Sequence, residues 1–417
     1  MKRNYFIVAL IFLIFFVISF LTNIIGPLVP DIIDSYNLSL TMVAVLPFAF
    51  FIAYGVMSIP GGVIVERYGE KKVMIFAFFL SSIGAFIFAS SPTYAMYIVS
   101  LFLIGSGMAM LQVAINPLLR IAGGEEHFAF TSVLGQLFFG LASFLSPLVY
   151  SYLVLNLKKG DTTSWFLDTM NNIVPSGLPW ISLYWVFAFV SLLMVIIIAI
   201  VKFPSVERKE DEKVGAMDTH IMLLKKPMVW MYFLAVFAYV GSEQGVANWI
   251  SEFLQTYHDV DPQVLGARTV ALFWGLMTAG TVLGLVLLKL VDSRKVLIGF
   301  SLSAIISLTL AIFGSKSIAL IAFPMVGFFA SVMWSIIISL ALNSVAENHG
   351  SFSGILVTGI AGGAILPLIV GSLGDVFGLR IGMLFLYISL GYIMSIGFWS
   401  KPLITNQLMA KSANEPR

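Results

Sequence analysis

Residues 228–257 read MVWMYFLAVFAYVGSEQGVANWISEFLQTY, and this stretch decides the fold class. It is long enough to cross a lipid bilayer as a helix, which takes about 20 mainly apolar residues. Glu243 stands near its middle, where a charged side chain costs about 2.5 to 3.5 kcal/mol on insertion scales. A carboxylate at that depth has two explanations. It bonds a neighbouring helix or reaches towards the membrane surface, or it holds a cation or a proton beside a polar ligand.

The polar residues that follow Glu243 share one side of the predicted helix. Gln244, Asn248 and Glu252 recur every four residues, a spacing that places side chains above one another on a helix. We therefore expect a membrane-spanning helix over 228–257 that carries a single polar stripe.

The rest of the chain is also apolar. Of its 417 residues, 59% are hydrophobic and 11% are charged, whereas a soluble domain has about 25% charged residues. Apolar runs between charged, Gly or Pro breaks indicate twelve membrane spans. The spans lie near 5–29, 41–65, 73–91, 94–119, 127–155, 180–203, 228–257, 265–290, 295–314, 317–344, 350–375 and 380–400.

The densest charge run, Glu207 to Lys213, falls between the sixth and seventh spans. We therefore predict an all-α membrane protein with twelve transmembrane helices in two six-helix bundles. The N-terminal bundle is predicted over 1–203 and the C-terminal bundle over 227–417. Residues 204–226 are predicted to form a cytoplasmic linker that contains a short surface helix and no separate domain.

The distribution of the basic residues predicts which ends of the spans face the cytoplasm. Most of the 23 Lys and Arg residues fall on the side of the N-terminus, and cytoplasmic loops are the ones enriched in Lys and Arg. Both termini are therefore predicted to be cytoplasmic, and the first apolar run is read as an uncleaved span. Asp31 and Asp34, at the outer end of that span, are expected to be solvated loop residues. The basic residues on the other side are Lys158, Lys159, Arg268, Lys316 and Arg380.

Composition excludes several classes of function. With no cysteine and four histidines, the chain offers no disulfide framework, no thiolate metal site and little for other metal chemistry. The spans hold no Ser/His/Asp constellation and no phosphate-cradling loop, so we predict neither enzyme activity nor a cofactor. A net charge of +2 gives no reason to expect a nucleic-acid partner.

Several motifs resemble one family of membrane proteins. The turn with Gly62, Glu66, Arg67 and Gly69 resembles the signature between the second and third helices of the major facilitator superfamily, with Glu66 where Asp is usual. A similar acid-then-base turn, starting at Asp292, joins spans eight and nine. The closer matches are Leu111 to Pro117 in span four, Gln136 eleven residues before Pro147 in span five, Tyr239 to Glu243 in span seven, and Gly362 to Pro367 in span eleven.

Together these motifs resemble the fucose, glucose and galactose symporter family, particularly its glucose/galactose branch, which includes animal sodium-dependent glucose transporters. The resemblance implies a twelve-helix symporter with alternating access, located in the cytoplasmic (inner) membrane. In the fucose branch, acids in helices one and four handle the proton, but Gly26 and Gln112 stand at those positions here. The glucose/galactose branch has Glu in helix seven, so the resemblance assigns coupling to Glu243 and favours sodium over a proton.

The neighbours of Glu243 could complete a cation site. Sodium prefers oxygen ligands, and Ser242, Gln244 or Asn248, with carbonyl groups freed near Gly241 or Gly245, could supply them. No other metal is expected. The superfamily turn at Gly62, Glu66, Arg67 and Gly69 is assigned to conformational gating.

Side-chain amides suit a sugar because each offers one acceptor and two donors to its hydroxyl groups. An aromatic face suits the apolar side of a sugar ring. For each amide, the alternative is an interhelical hydrogen bond, worth about 0.6 kcal/mol on average. The candidate substrate-binding residues are Asn23, Gln112, Asn116, Gln136, Asn248, Trp249, Trp334 and Asn343.

The sequence thus predicts a secondary transporter that imports a monosaccharide similar to glucose or galactose by cation symport and works as a monomer in the lipid bilayer. Two departures bear on the sugar: span ten reads Met333 to Ile336 where the family has an aromatic-Pro-Thr turn, and Phe139 replaces an Asn in span five. The alternatives are a proton-coupled transporter of another sugar, or a drug or metabolite exporter of the same superfamily.

Overall fold

Helices form almost all of the computed structural model, which describes residues 4–124, 128–160, 164–204, 217–345 and 349–403. The charge run predicted in the linker, Glu207 to Lys213, lies outside these residues. The helices are α1 (Tyr5–Thr22), α2 (Ile25–Tyr36), α3 (Leu40–Tyr68), α4 (Glu70–Ser90), α5 (Tyr94–Gly123), α6 (Phe128–Lys158), α7 (Trp165–Ile173), α8 (Ser182–Ile200), α9 (Met217–Leu224), α10 (Pro227–Ala247), α11 (Ile250–His258), α12 (Ala267–Leu290), α13 (Ser293–Phe313), α14 (Lys316–Ala330), α15 (Met333–Leu342), α16 (His349–Thr358), α17 (Gly362–Phe377), α18 (Leu379–Leu384) and α19 (Leu386–Trp399).

Three short helical segments of other types complete the described elements. Pro179–Ile181 and Gly359–Ala361 are 3-10 turns, and Pro262–Gly266 is a π-helical turn that leads into α12. Asp261 caps the π-helical turn, since its carboxylate accepts the N–H groups of Gln263 and Val264. This cap holds the backbone of Gln263 at the start of the turn.

Packing divides the chain into two compact units. The first comprises Met1–Glu207 and Asn248–Ala271, and the second comprises Arg208–Ala247 and Leu272–Arg417. In the first unit α3 and α4 pack on α5, and α1 packs on α6; in the second, α13 packs on α14, and α10 packs on α17. This division differs from the predicted bundles 1–203 and 227–417, whose boundaries stay a prediction.

Eleven helical stretches within the described ranges are long and apolar enough to cross a membrane. The predicted seventh span is not one of them: α10 has the required length, but Ser242, Glu243 and Gln244 lower its mean hydropathy. Its helix is also broken, since α10 ends at Ala247 and α11 begins only at Ile250. The helix that we expected over 228–257 is therefore divided into two helices. Its break falls inside the predicted polar stripe, between Gln244 and Glu252.

Spans one and ten are broken in the same manner as span seven. The two-residue gaps are Asn23-Ile24, Asn248-Trp249 and Ser331-Val332. Asn and Ser side chains compete with the backbone for hydrogen bonds, which weakens a helix at such points. Backbone freed within a span must be sheltered by protein, and all six gap residues are buried.

Close glycine contacts recur in the two units. A Cβ added at Gly105 in span four would collide with the backbone of Phe50 in span two. A Cβ added at Gly327 in span ten would collide with the backbone of Phe273 in span eight. The corresponding spans of each half therefore approach through the same device, a glycine pressed against a carbonyl group.

Candidate functional site

Glu243 lies on α10 and lines a small cavity of the second unit. The cavity measures about 10 Å³, and its polar lining consists of Tyr239, Ser242 and Glu243. The other lining side chains are apolar, and none is basic. Because one water molecule needs about this volume, the cavity fits a water or a single small cation and is far too small for a sugar.

A chain of hydroxyl groups fixes the side chain of Ser242. Ser389 Oγ donates its proton to the carbonyl oxygen of Leu386 at 2.9 Å, so it can only accept from Ser242, 2.7 Å away. Ser242 therefore gives its proton to Ser389 and keeps its oxygen lone pairs. That oxygen is the kind of ligand a small cation requires, on the same cavity as the Glu243 carboxylate.

The backbone near the cavity supplies fewer free oxygens than expected. Gly241 lies inside α10, where its carbonyl group takes part in the helix hydrogen bonds. Gly245 lies in the last turn of α10, where carbonyl groups lack a partner in the same helix. The expectation of a freed carbonyl is therefore wrong at Gly241. Gln244, the third predicted coupling residue, is buried but does not line the cavity.

Tyr239 joins the cavity to a second predicted residue, Trp334. The Tyr239 hydroxyl is hydrogen-bonded to the Glu243 carboxylate, one helical turn away. The ring of Tyr239 lies 5.9 Å from the ring of Trp334, measured between centroids. Trp334 is the second residue of α15, which follows the break of span ten, and it is only half-buried. The structure thus brings Glu243, Ser242 and Trp334 together, with Tyr239 between them.

Asn23 and Gln136 share a neighbourhood in the first unit. Asn23 is buried at the break of span one, and its Nδ2 donates to Ser143 Oγ on α6 at 2.9 Å. Gln136 stands seven residues before Ser143, which puts both on one side of α6. Its side chain is exposed. Within a membrane span, an exposed amide has a lower free energy in contact with water or a polar ligand than in contact with lipid.

Gln112 and Asn116 lie one turn apart on α5 in the same unit. Gln112 is half-buried and Asn116 is exposed. Asn116 Nδ2 donates to the carbonyl oxygen of Gln112 at 3.2 Å, so part of its hydrogen-bonding capacity serves its own helix. The side chain of Gln112 remains the better placed of the two to meet a ligand.

Asn248 has a buried amide donor that makes no hydrogen bond within the described part of the chain. Its side chain is 5% exposed, and its Nδ2 has no hydrogen-bond partner among the described residues. A buried unpaired amide costs about 1 to 3 kcal/mol, so it marks a place where a ligand or water would bind. Trp249 beside it is fully buried and presents no face to a ligand in this conformation.

Asn343 lies apart from the other candidates of the second unit. It caps the end of α15, about 14 Å along the helix from Trp334. Its carbonyl oxygen accepts the N–H of Leu403 at 2.7 Å, and its Nδ2 lies 3.4 Å from Ser339 Oγ. The structure does not bring Asn343 to the cavity.

The predicted gating turn connects α3 and α4. Gly69 has φ of +83°, a conformation that side chains with a Cβ rarely adopt, and it ends one helix and begins the next. Gly62 is buried, whereas Glu66 and Arg67 are exposed, with the Arg67 guanidinium 5.4 Å from the ring centre of Tyr68. These residues surround one tight turn, as their spacing predicted.

The corresponding turn between spans eight and nine is held by charge. Asp292 caps α13 by accepting the N–H of Arg294, and its carboxylate pairs with the Arg294 guanidinium at 3.2 Å. The Arg294 side chain that donates to this carboxylate holds the pKa of Asp292 below its usual value. The structure thus repeats an acid-and-base turn in each half.

A third turn of this type escaped the sequence analysis. Gly378 connects α17 to α18 with φ of +88°, close to the conformation of Gly69. The spacing of Gly62, Glu66, Gly69 and Lys71 recurs here in Gly371, Asp375, Gly378 and Arg380. The spacing of glycine, acid, glycine and base was the signal that could have found it.

Asp31 is the other residue that the sequence analysis misjudged. It lies within α2, where Tyr150 on α6 donates to Oδ2 and the Gln263 amide donates to Oδ1 at 2.8 Å. The expectation of a solvated loop residue is therefore wrong for Asp31. Asp34, one turn further along the same helix, is exposed. Nothing local distinguishes the two, because both partners of Asp31 are distant in sequence.

Comparison with known proteins identifies the family of this chain. The model of the Major Facilitator Superfamily matches residues 11–367. The glucose/galactose transporter of Brucella abortus is 31% identical over 95% of this chain and 94% of that protein. The L-fucose-proton symporter of Escherichia coli is 24% identical over 90% of this chain and 89% of that protein.

The fold has a counterpart among crystal structures. That of the E. coli fucose:proton symporter FucP superposes with a TM-score of 0.67 at 21% identity, over 94% of this chain and 98% of that chain. The predicted family and twelve-helix fold are thereby confirmed. The chain belongs to the major facilitator superfamily and, within it, to the family of the Brucella glucose/galactose transporter.

Proposed function

We propose that this protein imports a monosaccharide of the glucose or galactose type by cation symport, through alternating access. The observation that carries the proposal is the Glu243 carboxylate, which lies in a membrane span on a cavity of single-ion size with no basic lining residue. A charge that costs several kcal/mol in a membrane is retained where it binds an ion or proton. The names of the similar transporters support the sugar.

The substrate side of the proposal rests on the amides. In the first unit, the proposal is supported by the half-buried Gln112, the exposed Gln136 and the unpaired Nδ2 of Asn248. In the second unit, half-buried Trp334 offers an aromatic face beside Tyr239. Asn23, Asn116, Trp249 and Asn343 are weaker candidates because the structure commits them to other contacts or buries them.

Two cations are candidates for the coupling ion. The resemblance to the glucose/galactose branch favours sodium. The cavity favours a proton, because only three oxygen-bearing side chains line it and sodium needs more oxygen ligands than a proton does. A proton needs only the Glu243 carboxylate, and protonation removes the charge that is costly in the membrane.

Thermodynamic linkage between the two binding sites explains how either cation would drive the transport of the sugar. A cation that neutralises or orders the site raises sugar affinity, and the sugar raises cation affinity by the same factor. The turn with Gly62, Glu66, Arg67 and Gly69 is proposed to gate the conformational change. The protein is proposed to work as a monomer in the cytoplasmic membrane, with both termini in the cytoplasm.

Uptake of radiolabelled glucose into proteoliposomes tests the proposal. We would compare an inward sodium gradient, an inward proton gradient and no gradient, for the wild type and for Glu243→Gln. The variant keeps the shape of the side chain but cannot bind a proton or carry charge. Glu252→Gln is the matched control, since Glu252 belongs to the same predicted span but accepts from Thr256 at 2.9 Å and does not line the cavity.

The expected result is accumulation that depends on one of the two gradients. It should be lost in Glu243→Gln, with glucose exchange retained, and it should persist in Glu252→Gln. Accumulation that survives Glu243→Gln would refute the coupling assignment. Absence of glucose uptake under every gradient would refute the hexose, and a screen of drugs and metabolites would then test the exporter alternative.

A further inference from the structure

Tyr239 connects the two parts of the proposed site. We propose that Tyr239 is a positioning residue that communicates cation occupancy at Glu243 to Trp334. The inference rests on the proposed function, because it takes Glu243 as the cation site and Trp334 as a sugar contact. It assigns a role of its own to Tyr239, which was predicted only as part of the motif Tyr239 to Glu243.

The geometry gives Tyr239 one contact with each part. Its hydroxyl is hydrogen-bonded to the carboxylate of Glu243, and its ring packs at 5.9 Å and 50° against the ring of Trp334. Tyr239 is itself buried, 5% exposed, so it has little freedom to rotate away from either neighbour. Any displacement of its hydroxyl therefore moves a ring that touches Trp334.

The hydrogen bond changes when a cation or proton binds. An ionised carboxylate accepts a charge-assisted bond, which is about twice as strong as a neutral one. A protonated or cation-bound carboxylate offers fewer free lone pairs and, when protonated, brings a donor of its own. The hydroxyl of Tyr239 is then held less firmly by the carboxylate.

Apart from Glu243 and Tyr239, no charged or titratable group lines the cavity. The elements packed against it bring apolar side chains: Phe273 from α12, Val326 from α14, Met333 from α15 and Leu390 from α19. Ser242 is engaged with Ser389. Among the residues that line the cavity, Tyr239 is therefore the polar one that also touches Trp334.

Tyr232 provides a matched control on the same helix. Its hydroxyl is hydrogen-bonded to Ser344 at 3.0 Å, and its ring packs against Trp399 with centroids 5.1 Å apart. It repeats the pairing of a hydroxyl contact with a tryptophan contact but has no carboxylate partner. A purely structural role for such tyrosines predicts similar effects of Tyr239→Phe and Tyr232→Phe.

The test uses tryptophan fluorescence of the purified full-length protein without sugar. Protons and sodium are titrated separately, and the difference from Trp334→Phe isolates the signal of Trp334. We expect the wild-type signal to respond to one cation, and the response to be lost in Glu243→Gln and Tyr239→Phe and kept in Tyr232→Phe. Glu243→Asp, which shortens the reach to Tyr239, should also lose it.

A second measurement follows glucose affinity against cation concentration. Tyr239→Phe should reduce the cation dependence of glucose affinity from at least about fivefold to below about twofold, with affinity at saturating cation within about threefold of wild type.

Persistence of the Trp334 response in Tyr239→Phe, or its equal loss in Tyr232→Phe, would overturn the inference. So would the absence of any Trp334 response in the wild type. If no variant binds glucose while the fluorescence behaves as expected, the hexose assignment fails and the role of Tyr239 stands.

Discussion

Asp31 shows how a single carboxylate can hold three elements together. It accepts from Tyr150 on α6 and from Gln263 in the π-helical turn, while its own backbone belongs to α2. Both donors are buried or half-buried, so each depends on Asp31 for its hydrogen bond. A buried donor that loses its acceptor costs about 1 to 3 kcal/mol.

Asp31→Ala should therefore destabilise the protein, by about 1 to 3 kcal/mol for each donor left unpaired. Asp31→Asn keeps an acceptor and should recover part of that loss. Thermal unfolding of the purified protein in detergent measures the effect, and Asp34→Ala serves as the control because Asp34 is exposed on the same helix. Equal unfolding midpoints for Asp31→Ala and Asp34→Ala would contradict this account.

At the scale of elements, the turns at Gly69 and Gly378 share one backbone conformation. Both residues have φ between +80° and +90° and ψ near 150°, and both begin a helix directly after another ends. A residue with a Cβ is strained there by about 1 to 3 kcal/mol. The glycine thus allows a sharp reversal between two helices without a long loop.

Gly378→Ala should lower the free energy of unfolding by about 1 to 3 kcal/mol. Gly391→Ala is the control, because Gly391 lies within α19 and an added Cβ would meet no atom within 4 Å. An alanine in a helix interior is favoured over glycine by about 0.5 to 1 kcal/mol, so this variant should be neutral or stabilising. Equal destabilisation by both substitutions would show that the backbone conformation of Gly378 is not the cause.

At the scale of the whole molecule, residues 248–271 lie in the predicted C-terminal bundle but pack with the first compact unit. α11 contacts α2, and the Gln263–Asp31 hydrogen bond lies beside that contact. A hydrogen bond to a charged group contributes about 1.5 to 3 kcal/mol, enough to change a local opening equilibrium about tenfold or more. The chain changes compact unit between Ala247 and Asn248, where the helix is broken.

Gln263→Ala should therefore accelerate hydrogen–deuterium exchange about tenfold in α11 and leave α10 unchanged. The physical reason is that the two helices belong to different compact units, and proteins open locally in contiguous cooperative units. Exchange measured by mass spectrometry on peptides from each helix provides the comparison, with Gln255→Ala as a control amide on α11. A uniform acceleration across α10 and α11 would show that the break does not separate them.

The sequence was sufficient for the family, the helical class and the number of spans, because hydropathy and the superfamily motifs are local signals. Membership of this superfamily of carriers also confirms the predictions of no enzyme activity and no cofactor. The helix breaks were missed, since Asn248 at a spacing of four fits a helix as well as a turn. Asp31 was missed because its partner Gln263 is 232 residues away. The choice of substrate-binding residues stays a prediction.

The break at Asn248-Trp249 also has a mechanical consequence. With a rise of about 1.5 Å per residue, the 21 residues of α10 form an arm about 31 Å long and the nine of α11 an arm about 14 Å long. A tilt of about 20° at the break would move the far end of the short arm by about 5 Å, the height of one helical turn. A displacement of this size needs only two residues to change conformation. The same stroke in an unbroken helix would require the whole 30-residue rod to swing.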